Sequence, residues 1–232
     1  MRRALPCWMP FILILVFALL SACHQAPRTQ LRPGPAVPAA ENPGGAQLAI
    51  DPEQSQVLIL VYREGRMAAL GHNHVIAVRE LSGTVSASTD LSQSSWQLAF
   101  PVAAMSVDEA PLRASLGPDF QTTVDTVAIA GTRDHMLGPA LLDADHYPRI
   151  TLQAAGVHTD PDGVHVTARI TVRDHVAQIE VPVSLQRTAG QIIVSGEFDL
   201  THAQLGLTPY SVALGALRVA ERMHVRFRLL AH

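Results

Sequence analysis

The run Gly71-His72-Asn73-His74-Val75-Ile76 places two imidazoles two residues apart. On an extended chain such a pair shares one face, about 6–7 Å apart along the strand. It keeps parity with Leu70, Ile76 and Val78, while Arg79 falls on the other face. The pair is therefore expected to project toward whatever the sheet encloses. Three chemistries are open to it. The rings can meet the polar head of a ligand, or they can share a zinc ion, or they can be satisfied polar residues at a strand end. A catalytic zinc needs a third protein ligand. His135, His146, His175, His202 and His224 are available, and no spacing selects among them. The His-Asn-His order also invites comparison with nucleases, but the metal-binding hairpin and helix and the cationic surface of such enzymes are missing. Asp125, Asp134, Asp143 and Asp145 are scattered near loops and read as solvated caps. Ser86, Ser88 and Ser211 have no nucleophile-elbow context, and the glycines form no phosphate loop. The chain has no lysine, so a Schiff base or a catalytic amine is excluded. The residues thus call for no cofactor, and beside ligand binding they leave two readings: a metal-binding protein or zinc hydrolase on His72 and His74, and a structural or stress-related protein with a filled core.

The second reactive group is a thiol. The chain has 2 cysteines, Cys7 and Cys23. Arg2 and Arg3 precede a nearly unbroken apolar run from Phe11 to Leu20, which ends in Leu20-Ser21-Ala22-Cys23. A basic start, a short apolar stretch and small residues mark a secretory signal over residues 1–22, too short for a comfortable bilayer span. The small-small-Cys ending resembles a bacterial lipobox, in which cleavage precedes a cysteine that is then lipidated. Cys23 is the expected lipidation site. The mature protein would then hold no free thiol and no disulfide. Its localisation is expected to be the periplasm, anchored by lipid to the cell envelope. His24, where an aspartate can signal inner-membrane retention, favours the outer membrane.

Residues 23–46 carry Pro27, Pro33, Gly34, Pro35, Pro38, Pro43, Gly44 and Gly45 and no apolar period. They read as a disordered or partly polyproline tether, with a mean span of roughly 25–30 Å. Residues 47–232 remain as one domain of about 185 residues. Net charge is -3, and no segment is strongly basic, which excludes a nucleic-acid partner.

The domain's pattern has period two. Val166, Ala168, Ile170 and Val172 alternate with His165, Thr167, Arg169 and Thr171. Ile179, Val181, Val183 and Leu185 alternate with polar residues or proline. Met223, Val225, Phe227 and Leu229 alternate with Arg222, His224, Arg226 and Arg228, and Trp96, Leu98 and Phe100 do so more weakly. Such alternation marks strands with one apolar and one solvated face. Two segments break it, Met105–Gly117 and Asp134–Ala144, and are expected as short helices or irregular connections. Asp108 and Glu109 favour the start of the first, Asp134 that of the second. The fold class is all-β and mostly antiparallel, a sandwich or a closed barrel.

Several stretches together resemble the YceI-like family of bacterial envelope proteins. Ile50-Asp51-Pro52-Glu53-Gln54-Ser55 is similar to the family's opening. Tyr147-Pro148-Arg149-Ile150-Thr151-Leu152 is similar to its helical turn leading into a strand. The strands Val164–Val172 and Gln178–Leu185 follow, then Gly196-Glu197-Phe198-Asp199-Leu200, Leu205-Gly206-Leu207 and a closing strand Arg222–Leu230. Where the family usually carries a basic residue before its late motif, this chain has Thr201-His202-Ala203-Gln204. The resemblance implies an antiparallel eight-stranded, lipocalin-like barrel with one or two short helices. It also implies non-enzymatic binding of a long-chain lipid, a polyisoprenoid, quinone or similar. The lumen candidates are His72, His74, Ile76, Trp96, Leu98, Phe100, Val166, Ala168, Ile170, Val172, Ile179, Val181, Val183, Met223, Val225 and Phe227. Eight strands leave room for side chains or one slender ligand, and a tail gains about 0.8 kcal/mol per buried CH₂.

Overall fold

The structure, a computed structural model, describes residues 46–232. The signal, Cys23 and the tether as far as Gly45 lie outside the described residues. Twelve strands form one antiparallel sheet. They are β1 (Ala46–Ala49), β2 (Gln56–Glu64), β3 (His74–Ala77), β4 (Ser82–Ala87), β5 (Ser95–Pro101) and β6 (Ser106–Val107). After the helical region come β7 (Arg149–Asp160), β8 (Gly163–Val172), β9 (His175–Thr188), β10 (Gln191–Thr201), β11 (Ser211–Val212) and β12 (Leu217–Ala231). The order is β1-β4-β5-β7-β8-β9-β10-β12-β2-β3-β6, and β11 pairs only with β12.

That order is a curled ring of bent strands. β1 and β2 are one strand broken at a corner, where the Asp51 carboxylate accepts from the amides of Glu53 and Gln54 at 2.9 and 3.0 Å. β3 and β4 are broken at Glu80, which sits at φ 55°. A short 3₁₀ turn, Val102–Ala104, separates β5 from β6. At each break the two halves take different partners: β1 pairs with β4, and β2 pairs with β3 and β12. A bridge between Ile50 and Ala231 ties the corner after β1 to the end of β12 and closes the ring. Joining the three broken strands and setting β11 aside leaves the eight of the expected barrel. The larger count comes from bends, which the side-chain period does not record.

The strands expected from alternation are present. On β9, Ile179 and Val181 are buried and Val183 half-buried, while Gln178, Glu180, Pro182 and Ser184 are exposed. β2 differs because both its faces are covered. Leu58 and Leu60 pack outward with Val75, Ala77, Leu116 and Phe120, and Ile59 and Val61 pack inward on the main core. The outer cover comes from helix α1 (Ala110–Ser115) and the 3₁₀ turn Pro118–Phe120. A strand buried on two faces reads as a continuous apolar run, here Val57 to Val61.

The second helix, α2, spans Thr126–Leu137 rather than starting at Asp134. Asp125 is its N-cap, and its carboxylate accepts from the Ala128 amide at 2.8 Å. This corrects the expected start by about two turns. A cap is decided by which Asp can reach a free amide two or three residues on, and apolar residues on both faces, among them the exposed Val127, hide the helical period.

Candidate ligand-binding lumen

Alternation sends one row of side chains from each strand into the ring, and two adjoining cavities lie there. The first has a volume of about 190 Å³ and an almost wholly hydrocarbon wall. Trp96, Leu98, Val166, Ala168, Ile179, Val181, Val183, Val225 and Phe227 all line it. Leu152, Val157, Val164, Val194, Phe198 and Leu229 add to the same wall. An interior of this kind offers a ligand burial and little direction.

The second cavity is larger, about 380 Å³, and carries polar groups. His72, His74, Ile76, Val172, Met223 and Val225 line it, together with Tyr62, Arg63, His135, His202, Tyr210 and Arg218. Helix α2 contributes Ala128, Gly131, Thr132 and Met136, so it forms part of this wall. Phe100 and Ile170, expected at the lumen surface, line neither cavity. They are each 6% exposed within the main core. Val225 lines both cavities. The lumen is thus two compartments with a packed waist between them.

His74 is the first residue of β3, and His72 precedes the strand, yet both reach the second cavity. Their ring centroids are 6.3 Å apart. Beneath His74 lies a buried ion cluster. His74 Nδ1 lies 2.6 Å from Asp108 Oδ2. Asp108 Oδ1 accepts from the Val75 amide at 2.9 Å and from Arg113 at 2.6 Å. Arg113 also donates to the carbonyls of Asn73 and Thr122 at 2.7 and 2.8 Å. Burial opposes the Asp108 charge, but the bonds from His74 and the Val75 amide, with Arg113 beside them, outweigh it. The carboxyl is held below its usual range and stays ionised.

This cluster sets the chemistry that the ring presents. A carboxylate only accepts, so the hydrogen bond places a proton on His74 Nδ1. In the neutral ring Nε2 is then an acceptor. The same holds for His202, whose Nδ1 donates to the Glu221 carbonyl at 3.0 Å, and for His135, whose Nδ1 donates to the Gly131 carbonyl at 2.7 Å. Tyr62, which shares parity with Leu58 and Leu60, turns its ring outward onto Phe120, with centroids 5.6 Å apart. The histidines of the compartment can therefore accept from a small polar head.

Of the five histidines left open as zinc partners, His135 and His202 reach this cavity. His146 instead bonds Asp143 at 2.8 Å, His175 the Gln204 carbonyl at 3.0 Å, and His224 Asp199 at 2.9 Å. Among the described residues no third His, Cys, Asp or Glu completes a ligand set with His72 and His74. The zinc reading of that pair lacks its third ligand. In the sequence Asp108 stands only as a helix-start signal, and Arg113 stands in no motif. Asp108 meets His74 across 34 residues and Arg113 across 5, which no local pattern marks.

Comparison with known proteins agrees with this geometry. No curated protein matches the sequence. Among solved structures, BcnA of Burkholderia cenocepacia superposes with a TM-score of 0.57 at 17% identity, covering 79% of this chain and 99% of that one. A YceI protein of Campylobacter jejuni superposes with a TM-score of 0.44 at 10% identity, covering 66% of this chain and 82% of that one. The YceI-like domain matches residues 48–231. That family is known for barrels that bind polyisoprenoids and for binding rather than catalysis. By this match, over nearly all of the described residues, the chain belongs to the YceI-like family.

Proposed function

We propose that this domain holds one long, slender lipid, a polyisoprenoid, a quinone or a similar chain, without chemically changing it. The apolar tail occupies the first cavity and the polar head the second. The observation that carries this reading is the division of one lumen into a hydrocarbon compartment and a histidine-lined one. A lipid is divided in the same way. At about 0.8 kcal/mol per buried CH₂ the tail supplies the affinity, and His74 and His202 orient the head. A chain reaching both compartments must displace the packing of Phe100 and Ile170 at the waist. A structural or stress-related protein with a filled core is disfavoured because space remains on both sides of that waist.

We further propose that Cys23 is lipidated and that the Pro-rich tether holds the domain beside an envelope membrane, the outer membrane by preference. The anchor would replace diffusion across the periplasm with local sampling of a bilayer that supplies the ligand. Several acyl chains hold a protein stably where one does not.

Two measurements test the reading. Protein purified gently and extracted with organic solvent is expected to yield close to one isoprenoid or long acyl lipid per chain by mass spectrometry. Empty extracts, with no binding of added quinones or prenols, reject it. Cys23→Ser is expected to move the protein from the membrane fraction to the soluble periplasm. Membrane association that survives this change rejects the anchor.

A further inference from the structure

A second cluster of ligating side chains lies on the far side of the sheet from the lumen. In the β7–β8 hairpin His158 and His165 are direct cross-strand partners. Val157, Val164 and Val166 point into the first cavity. Alternation therefore turns His158, Asp160 and His165 outward together. Glu180 joins them from β9, where its neighbours Ile179 and Val181 face inward.

The spacing within this cluster is unusual for hydrogen bonding. His165 Nε2 lies 3.4 Å from Asp160 Oδ1, and His165 Nδ1 lies 3.5 Å from Glu180 Oε1. His158 Nε2 lies 3.8 Å from Glu180 Oε1. These gaps exceed the roughly 2.7–3.2 Å of a nitrogen–oxygen hydrogen bond. The His165–Asp160 gap matches the edge of a tetrahedral metal site, about 3.3–3.5 Å for bonds of about 2.0–2.2 Å, while Glu180 lies against the other nitrogen of His165. One ligand atom from each of His158, Asp160 and His165 already falls within 4.8 Å of the others. The two imidazoles are stacked at 5.3 Å with planes 14° apart. Among the described residues neither Asp160 nor Glu180 pairs with an arginine. Asp160 Oδ1 accepts from the Asp162 and Gly163 amides at 2.9 and 3.2 Å, which leaves Oδ2 for a cation.

We propose that His158, Asp160 and His165 bind one divalent transition-metal ion, with water completing its shell. Two imidazoles and carboxylate oxygens suit zinc or copper(II) better than magnesium or calcium, which take all-oxygen shells. The ion would pin β7 to β8 at the hairpin whose inner face lines the first cavity. The site shares no residue with the histidines of the second cavity, so it stands or falls independently of the lipid reading.

The test uses the full-length chain, purified in mild detergent and stripped with a chelator. Calorimetric titration with zinc chloride is expected to show one equivalent bound per chain. Cobalt(II), as a spectroscopic substitute, is expected to give the intense visible bands of a tetrahedral site. His165→Ala and His158→Gln should each weaken binding by at least about 100-fold, more than the loss of a supporting contact costs. His146→Ala, at a side chain 77% exposed and bonded to Asp143, should leave it unchanged. Circular dichroism of each stripped variant shows whether the fold persists. The proposal is overturned if zinc does not bind, or if binding survives in folded His165→Ala and His158→Gln.

Discussion

At the scale of single residues, the lumen's polarity depends on Asp108. Its side chain is fully buried, and it stands at φ 54°, a backbone conformation that few residues other than glycine adopt readily. It bonds His74, Arg113 and the Val75 amide at once. Asp108→Ala leaves the Arg113 guanidinium, 8% exposed, without its counter-charge. Removing one partner of a buried pair costs about 3–5 kcal/mol, so chemical denaturation should show a loss of that order. The carboxyl is held below its unfolded value of about 4. Its stabilisation is therefore complete above that pH and fades as pH falls through the folded value. Native stability should decline in acid below about pH 4, and this part of the decline should be missing in Asp108→Ala. An equal acid slope in both proteins would show that Asp108 is not the group responsible. His72 and His74 were legible as a pair because two residues apart is a strand's own period. Asp108 and Arg113 were not legible, because a buried charge cluster joins residues by tertiary contact.

At the scale of elements, the strands that carry the lumen announced themselves wherever one face meets solvent. On β12, Met223 and Val225 are buried and Phe227 half-buried, while Arg222, Arg226 and Arg228 stay exposed. The period failed where burial is two-sided, as in β2, and where the chain bends. The bends depend on close backbone approach. A Cβ on Gly83, in β4, would lie 2.2 Å from the Gln97 carbonyl oxygen and 2.8 Å from a methyl of Leu98. The obstructing oxygen belongs to a paired strand, since Gly83 faces Leu98 in the β4–β5 register. It cannot move without breaking the ladder. Gly83→Ala is therefore expected to destabilise the fold by about 1–3 kcal/mol, as overpacking does. A denaturant midpoint equal to that of the unmodified protein would show that β4 and β5 part more easily than this geometry implies.

At the scale of the whole molecule, the proposed function rests on an interior left partly empty. A close-packed core is the usual outcome of folding, and here the same inward row of side chains packs tightly at Phe100 and Ile170 and leaves space on either side. Sequence period identifies which side chains face inward. It does not say whether they meet, because that depends on the ring's diameter and on the size of residues opposite. Ala168 shows the point. It is small and 3% exposed, and it lines the first cavity. Ala168→Phe would fill space there without adding polarity, at a cost of about 1–3 kcal/mol in strain. If the tail lies in that cavity, each methylene excluded should lower affinity about fourfold. The variant should then keep its circular dichroism and cooperative unfolding yet lose most of its co-purified lipid. His202→Ala, in the second compartment, removes one polar contact worth about 0.5–1.5 kcal/mol and should lower affinity only a few-fold. The opposite ranking, with bulk at Ala168 tolerated and His202 indispensable, would place the ligand in the histidine compartment alone and make it a small polar molecule instead of a long chain.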